Sequence, residues 1–207
     1  DRGNSSQNIV NGPALRYEKL ISKNLSNPKK NFDKKNIFVP LSQIRDQNIE
    51  LLNKVFDLNN LLGNEYFNFY IRPHPNLEIE NLFLNKINSK KNNNIQISQL
   101  NMSELMDQCL ICLSMSTGAV YDAIINGNIV INVESELNYC DNYLDFVADR
   151  FEFLKTRSLE EVVILLNKLK IDENSKKNLE EYKKVQKYFL EGMNRVDSNN
   201  IKFFQSK

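Results

Sequence analysis

No apolar run in this sequence approaches the ~20 residues that a helix needs to cross a bilayer. No charged-then-apolar leader opens it either, and the first residue is Asp1. A soluble piece, excised from a longer protein, is the expectation. Net charge is as scarce as apolar length. With 27 Lys and Arg against 26 Asp and Glu, the formal charge is +1, which gives no electrostatic case for nucleic acid or an acidic membrane surface as partner. Any basic site has to be local. Cysteine is limited to Cys109, Cys112 and Cys140. Their number is odd, and the first two lie in or beside an apolar run, where a reduced thiol behaves as a small hydrophobe; cytoplasm is the expected compartment. Cys109 and Cys112 have the C-x-x-C spacing of redox and zinc sites, yet they sit inside a strand-like run with no histidine close in sequence. There is no Asp-x-Asp signature and no cluster of the residues that hold Mg2+ or Zn2+. No metal and no cofactor is therefore expected, and no repeat of solenoid period emerges.

Histidine occurs once, and its setting is informative. Phe67-Asn68-Phe69-Tyr70-Ile71 runs into Arg72-Pro73-His74-Pro75, an aromatic and β-branched strand pattern that stops at a rigid polar loop. Proline on either side fixes φ at positions 73 and 75 and pushes Arg72 and His74 toward extended backbone, so the imidazole is presented on a stiff segment. A surface histidine in a proline turn is the plain alternative. Further on, Leu110-Ile111-Cys112-Leu113 leads into Ser114-Met115-Ser116-Thr117-Gly118, after which Val120, Ala123 and Ile124 recur at helical spacing. Strand, tight turn and helix follow one another. Hydroxyls at a helix start cap its free amides, and the same end carries the positive pole of the macrodipole, which suits it to a phosphate. Capping alone needs one such residue, and here Ser114, Ser116 and Thr117 gather with Gly118.

The rest of the chain repeats this alternation, and 41% hydrophobic content is enough to build a core. Arg16 to Leu25 suits a short amphipathic helix, Asn27-Pro28 through Lys35 a polar connector, and Ile37-Phe38-Val39-Pro40 a strand. A helix follows with Ile49, Leu52, Val55 and Phe56 on its face. After the strand 67–71 comes a helical stretch with Ile79, Leu82, Phe83 and Ile87 on one side, then a solvated loop at Lys90-Lys91-Asn92-Asn93-Asn94. Strand 95–97 precedes a short helix, Glu104 to Asp107, with Ser103 as its cap. Ile129-Val130-Ile131-Asn132-Val133 is the fifth strand. Ser158 and Glu161 have capping-box form before one C-terminal helix, and another spans Ser175 to about Glu191. The tail from Val196 to Lys207 carries Ile201, Phe203 and Phe204, which dock or dangle. Strands alternating with helices call for a parallel sheet buried on both faces, an α/β Rossmann-like architecture with C-terminal helices packed against it. Ligands in such sheets gather at the carboxyl ends of the strands, where Arg45, His74, Ser116, Thr117 and Glu134 all fall.

The strand-Arg-Pro-His-Pro segment, followed about 40 residues later by strand-Ser-x-Ser-Thr-Gly, resembles the C-terminal nucleotide-binding domain of GT-B-type glycosyltransferases. The likeness is to bacterial enzymes with an HP motif and a following S/T motif: capsule Kdo transferases, sialyltransferases and the CDP-glycerol glycerophosphotransferases of teichoic-acid synthesis. It covers about Asn11 to Asn142, and Asn11-Gly12-Pro13-Ala14-Leu15-Arg16-Tyr17 is similar to the segment by which such chains enter that domain. The resemblance implies residues 1–35 as a linker with a short helix from a preceding domain, 36–150 as the nucleotide-binding domain and 151–207 as its helical extension. Together these would make one half of a GT-B fold.

The resemblance further implies that His74 lies against a cytidine nucleotide and its phosphate, with Pro73 and Pro75 shaping the loop, and that Ser116 and Thr117 hold the phosphate. Arg72 and Arg45 are nominated for phosphate by charge and position alone, Ser114 and Gly118 by their place in the turn, and Glu134 or Glu136 for the ribose hydroxyls. The implied donor is a CMP-sugar or a CDP-polyol, used without a metal. The general base of inverting members comes from the acceptor domain, so no catalytic residue is assigned here, and this chain alone is expected to bind without turning over. A glycan or lipid-linked acceptor would meet a missing N-terminal domain, in the cytoplasm or with the full-length protein at the inner face of the membrane. Two other readings stay open: a UDP-sugar 2-epimerase-like domain, and a non-catalytic nucleotide- or partner-binding module.

Overall fold

The computed structural model describes residues 15–26, 33–63, 66–137, 142–148, 150–151, 154, 156, 158–170 and 172–193. The turn expected at Asn11-Gly12-Pro13, the connector from Asn27, Cys140 and the tail from Val196 lie outside the described residues. Helix α1 (Leu15–Ser26) is followed by β1 (Asp33–Pro40), α2 (Arg45–Leu62), β2 (Asn68–Arg72), α3 (Asn81–Ile87) and β3 (Ile95–Ile97). Then come α4 (Met102–Gln108), β4 (Cys109–Ser114), α5 (Ala119–Asn126), β5 (Ile129–Asn132), α6 (Asp145–Ala148), α7 (Leu159–Lys170) and α8 (Asp172–Gly192). The five strands form one sheet in the order β3-β2-β1-β4-β5, and every pairing is parallel. Strands β1 to β3 step outward in one direction, after which the chain returns to the other side of β1. The reversal lies between β1 and β4, where an open α/β sheet leaves a crevice.

Side-chain alternation along each strand divides the core between the two faces. Ile37, Val39, Phe69, Ile71, Ile111, Leu113, Ile129 and Ile131 pack with α2, α3 and α7 through Leu51, Leu52, Val55, Phe83, Val162 and Leu166. Phe38, Cys112 and Val130 face the opposite layer, where α4, α5 and α8 contribute Leu105, Val120, Ala123, Ile124, Val185 and Phe189. Both layers are apolar because both faces of a parallel sheet are covered.

Four local expectations are corrected. β1 begins at Asp33, not Ile37: Asp33 lies opposite Cys109 of β4 in the sheet, with a shift of register before Ile37. The stretch read as a solvated loop ends in a buried residue. Asn94 Nδ2 donates to the Phe67 carbonyl at 2.7 Å and to Asn59 Oδ1 at 2.6 Å, closing the end of the sheet where β2 starts. Leu82 is 60% exposed rather than packed, because Phe83 and Ile87 alone carry the buried side of α3. Finally, α4 is capped by Asn101, not Ser103: the Glu104 amide donates to Asn101 Oδ1 at 3.0 Å and the Asn101 amide to Glu104 Oε2 at 2.9 Å. Ser103 instead accepts from Lys23 of α1 at 3.3 Å.

The Cys109 and Cys112 thiols form no disulfide and are fully buried, and burial pushes the Cys112 thiol well above its usual range. Three residues of strand also separate their backbones by ~10 Å, beyond disulfide reach. They act as core side chains.

Because a capping box satisfies two helix-end amides at once, Asn101→Ala is expected to cost about 1 kcal/mol in urea unfolding. Ser103→Ala should stay within roughly 0.5 kcal/mol. Equal costs at the two positions would contradict the cap assignment.

Candidate functional site

Every β-to-α turn of a parallel sheet opens on the same edge, and four of them meet here. Leu41 follows β1, Arg72-Pro73-His74-Pro75 follows β2, Met102 opens α4, and Thr117, Gly118 and Ala119 follow β4. Together with Arg16 of α1 and Asp122 of α5 they line an open depression of about 370 Å3, within the size range of small-molecule sites. β1 holds the two motif loops side by side. Its last residue, Pro40, lies opposite Arg72, and the Leu41 amide donates to the Arg72 carbonyl at 2.9 Å.

The histidine loop is stiffened by its own turn as well as by its prolines. The Leu77 amide donates to the His74 carbonyl at 3.0 Å, and the Asn76 amide donates to His74 Nδ1 at 3.3 Å. A neutral imidazole that accepts at Nδ1 carries its proton on Nε2, so His74 keeps a ring donor for a ligand. Arg72 is half-buried beside it, with no ion pair among the described residues.

The second motif splits between structure and site. Ser114 is fully buried, and its hydroxyl donates to Asn132 Oδ1 at 2.9 Å, fastening β4 to β5 away from the depression. Ser116 is 9% exposed and adopts φ +44°, the only left-handed non-glycine among the described residues. Thr117 Oγ1 accepts the Ala119 amide at 3.4 Å, a long cap-type bond. Gly118 stands at the N-cap of α5 with no side-chain cap, and an added Cβ there would meet nothing within 4 Å. The helix start therefore opens onto the depression with the positive end of its dipole.

Of the residues singled out in the sequence, Arg72, Pro75, His74, Thr117 and Gly118 share this wall, with Pro73 between. Ser114, Ser116, Arg45, Glu134 and Glu136 are not on it. Arg45 opens α2 and forms an ion pair with Glu80 at 2.5 Å. The Glu134 backbone is tied to Thr156 and to Lys54. Glu136, 85% exposed, reaches Lys54 at 3.6 Å. Arg16, Leu41, Met102 and Asp122 were missed. Arg16 Nη2 donates to Asp122 Oδ2 at 3.0 Å, and this pairing, then the nearby Tyr17, holds the guanidinium above its ordinary value. Two arginines and a histidine thus face one carboxylate, an arrangement that favours an anion.

Away from the depression, the exit of β5 is anchored to α2. Glu50 accepts from the Ser135 hydroxyl at 2.6 Å, the Glu136 amide at 2.9 Å and Lys54 at 2.8 Å, with Glu50 and Lys54 only 15% and 13% exposed.

No protein-family model matches the sequence, and no curated protein matches it. Solved structures do. TarM superposes with a TM-score of 0.59 at 13% identity over 86% of this chain, and an O-GlcNAc transferase mutant from Thermobaculum terrenum with 0.55 at 11% over 84%. Os79 from O. sativa, in complex with UDP, superposes with 0.53 at 12% over 89%. The chain spans 36%, 36% and 42% of those chains. Likeness at this identity establishes the fold alone: a Rossmann-like α/β domain.

Burial raises the Glu50 carboxyl, but bonds from Lys54, Ser135 and the Glu136 amide outweigh it and leave the group below its usual 4.5. A depressed folded value means that the stabilisation is present above the unfolded value and lost as pH falls through the folded one. Urea midpoints measured between pH ~6 and pH ~3 should therefore fall less steeply in Glu50→Gln than in the parent. Parallel profiles would show that Glu50 does not carry this linkage.

Proposed function

We propose that this chain is the donor-nucleotide-binding domain of a glycosyltransferase of bacterial surface-polysaccharide synthesis, taking a cytidine-activated donor. The observation that carries this is the convergence of the His74 loop and the open start of α5 on one depression at the carboxyl edge of the sheet. A phosphate seated there would receive the His74 Nε2 proton, the Arg72 guanidinium and the Thr117 hydroxyl, and would lie at the positive end of the α5 dipole. In sugar transfer the bond between the anomeric carbon and the phosphate oxygen breaks, and negative charge builds on the phosphate as it leaves. Donors fixed before the reaction stabilise that charge most when the bond is breaking, and here protein cations, side-chain donors and a helix dipole supply them in place of a metal. The general base and the glycan or lipid-linked acceptor belong to a separate domain, so this chain binds donor without turning it over.

Calorimetric titration with CMP, CDP, UDP and cytidine tests the assignment and orders the bases. His74→Ala is expected to weaken CMP or CDP by about 1.5–3 kcal/mol, the range for a hydrogen bond to a charged group. Its thermal midpoint should be nearly unchanged. Thr117→Ala should likewise weaken the nucleotides while barely moving uncharged cytidine. Parent-like CMP binding in both variants would remove the phosphate site, and preference for UDP over CDP would replace the cytidine donor with a uridine one.

A further inference from the structure

We propose that Arg16 forms a subsite for a second phosphate, so that the ligand of this depression is a nucleoside diphosphate derivative rather than a monophosphate. This rests on the nucleotide assignment above and names the donor class within it. The first phosphate already has its partners in His74, Arg72 and the start of α5. Arg16 is an additional cation, brought to the same wall by a different element.

Helix α1 is docked so as to hold it there. Ile21 is buried at 2% exposure, Lys23 is paired with Asp107 of α4 and bonded to Ser103, and Arg16 reaches Asp122 of α5. Asp122 lies in the first turn of α5, so Arg16 stands about one turn beyond the helix start, ~5 Å along the axis and within reach of a second phosphoryl group. A guanidinium has five N–H donors in a fixed fork. One nitrogen meets Asp122 at 3.0 Å and one face of the guanidinium lies over the Tyr17 ring at 5.3 Å, yet the side chain remains 66% exposed, which leaves the other N–H edge for a ligand. Asp122 by itself would repel an anion from this wall. Paired, it orients the arginine and its charge is offset. An exposed ion pair adds little to stability, so stability alone gives no reason to set both partners into the wall of an anion-favouring depression.

The test is calorimetric titration of the parent chain, Arg16→Ala and Arg16→Gln with CMP and CDP, repeated with UMP and UDP so that base preference does not mask the phosphate effect. Thermal midpoints are measured alongside. The expected result is a preference of the parent for the diphosphate, and a loss of ~10-fold in diphosphate affinity in both variants. The monophosphate should stay within ~2-fold, since its partners are elsewhere. Equal weakening of mono- and diphosphate would make Arg16 a latch that only holds α1, and unchanged affinity for both would also overturn the subsite. Absence of nucleotide binding by the parent would remove the nucleotide assignment itself and the subsite with it. That failure is distinct, because it precedes any substitution.

Discussion

Parallel pairing of β1 with β2 on one side and β4 on the other is the constraint from which the site descends. A parallel ladder aligns carboxyl ends, so the loop after β2 and the turn after β4 must emerge on the same edge, separated by the width of one strand. The chain fills that gap with Leu41, whose amide is bonded to Arg72. Two motifs about 40 residues apart in sequence thereby become facing walls of one depression. The side-chain alternation that buries Ile37 and Val39 on one layer and Phe38 on the other fixes the strand against slipping, because a one-residue slip would exchange the faces. Register, and with it the facing of His74 and Thr117, is held by the core.

Electrostatic design is local in a chain of almost no net charge. Lys and Arg nearly balance Asp and Glu overall, and exposed pairs such as Lys183 with Glu180 and Lys187 with Glu191 lie on a solvated helix face. At the depression the balance tips: Arg16 and Arg72 against Asp122, with the His74 donor and the dipole of α5 added. Low-dielectric walls concentrate such a local excess more than a diffuse surface charge would. Glu50 and Lys54 show the opposite arrangement. They are mutually neutralised and used to anchor the β5 exit to α2.

The sheet and its edge were legible because each strand is an apolar run of the right length stopping at a breaker, and because alternation with helices admits few topologies. His74 was legible from its flanking prolines. What stayed hidden depends on tertiary contacts. The first residues of β1 are Asp33, Lys34 and Lys35, polar residues that read as connector and become strand only because β4 lies alongside. Asn94 belongs to a run of lysines and asparagines, and nothing local marks it as the one that reaches both Asn59 and the Phe67 carbonyl. Arg16 lies on a helix whose amphipathic pattern reveals a buried side but not its docking partner, so its meeting with Asp122, 106 residues away, has no sequence signal. Ser114 looked equivalent to Ser116 and Thr117. Its place as the last strand residue commits it to Asn132 instead.

The turn at Ser116 shows how the rigid and the open parts of the site are joined. A left-handed serine costs roughly 1 kcal/mol, which glycine would avoid. The conformation is imposed from both sides. Upstream, Ser114 is fastened to Asn132, its carbonyl accepts the Val133 amide at 2.8 Å, and Met115 is buried at 1% exposure. Downstream, Val120, Ala123 and Ile124 fix α5 against the sheet. Only Ser116, Thr117 and Gly118 are left to make the reversal, and a left-handed residue turns the chain within that length. Glycine at 116 would relieve the strain and also multiply the conformations open to the turn. Serine restricts it, so the start of α5 is held without a ligand, and for the phosphate site proposed above the entropy cost of ordering the turn is met during folding rather than on binding.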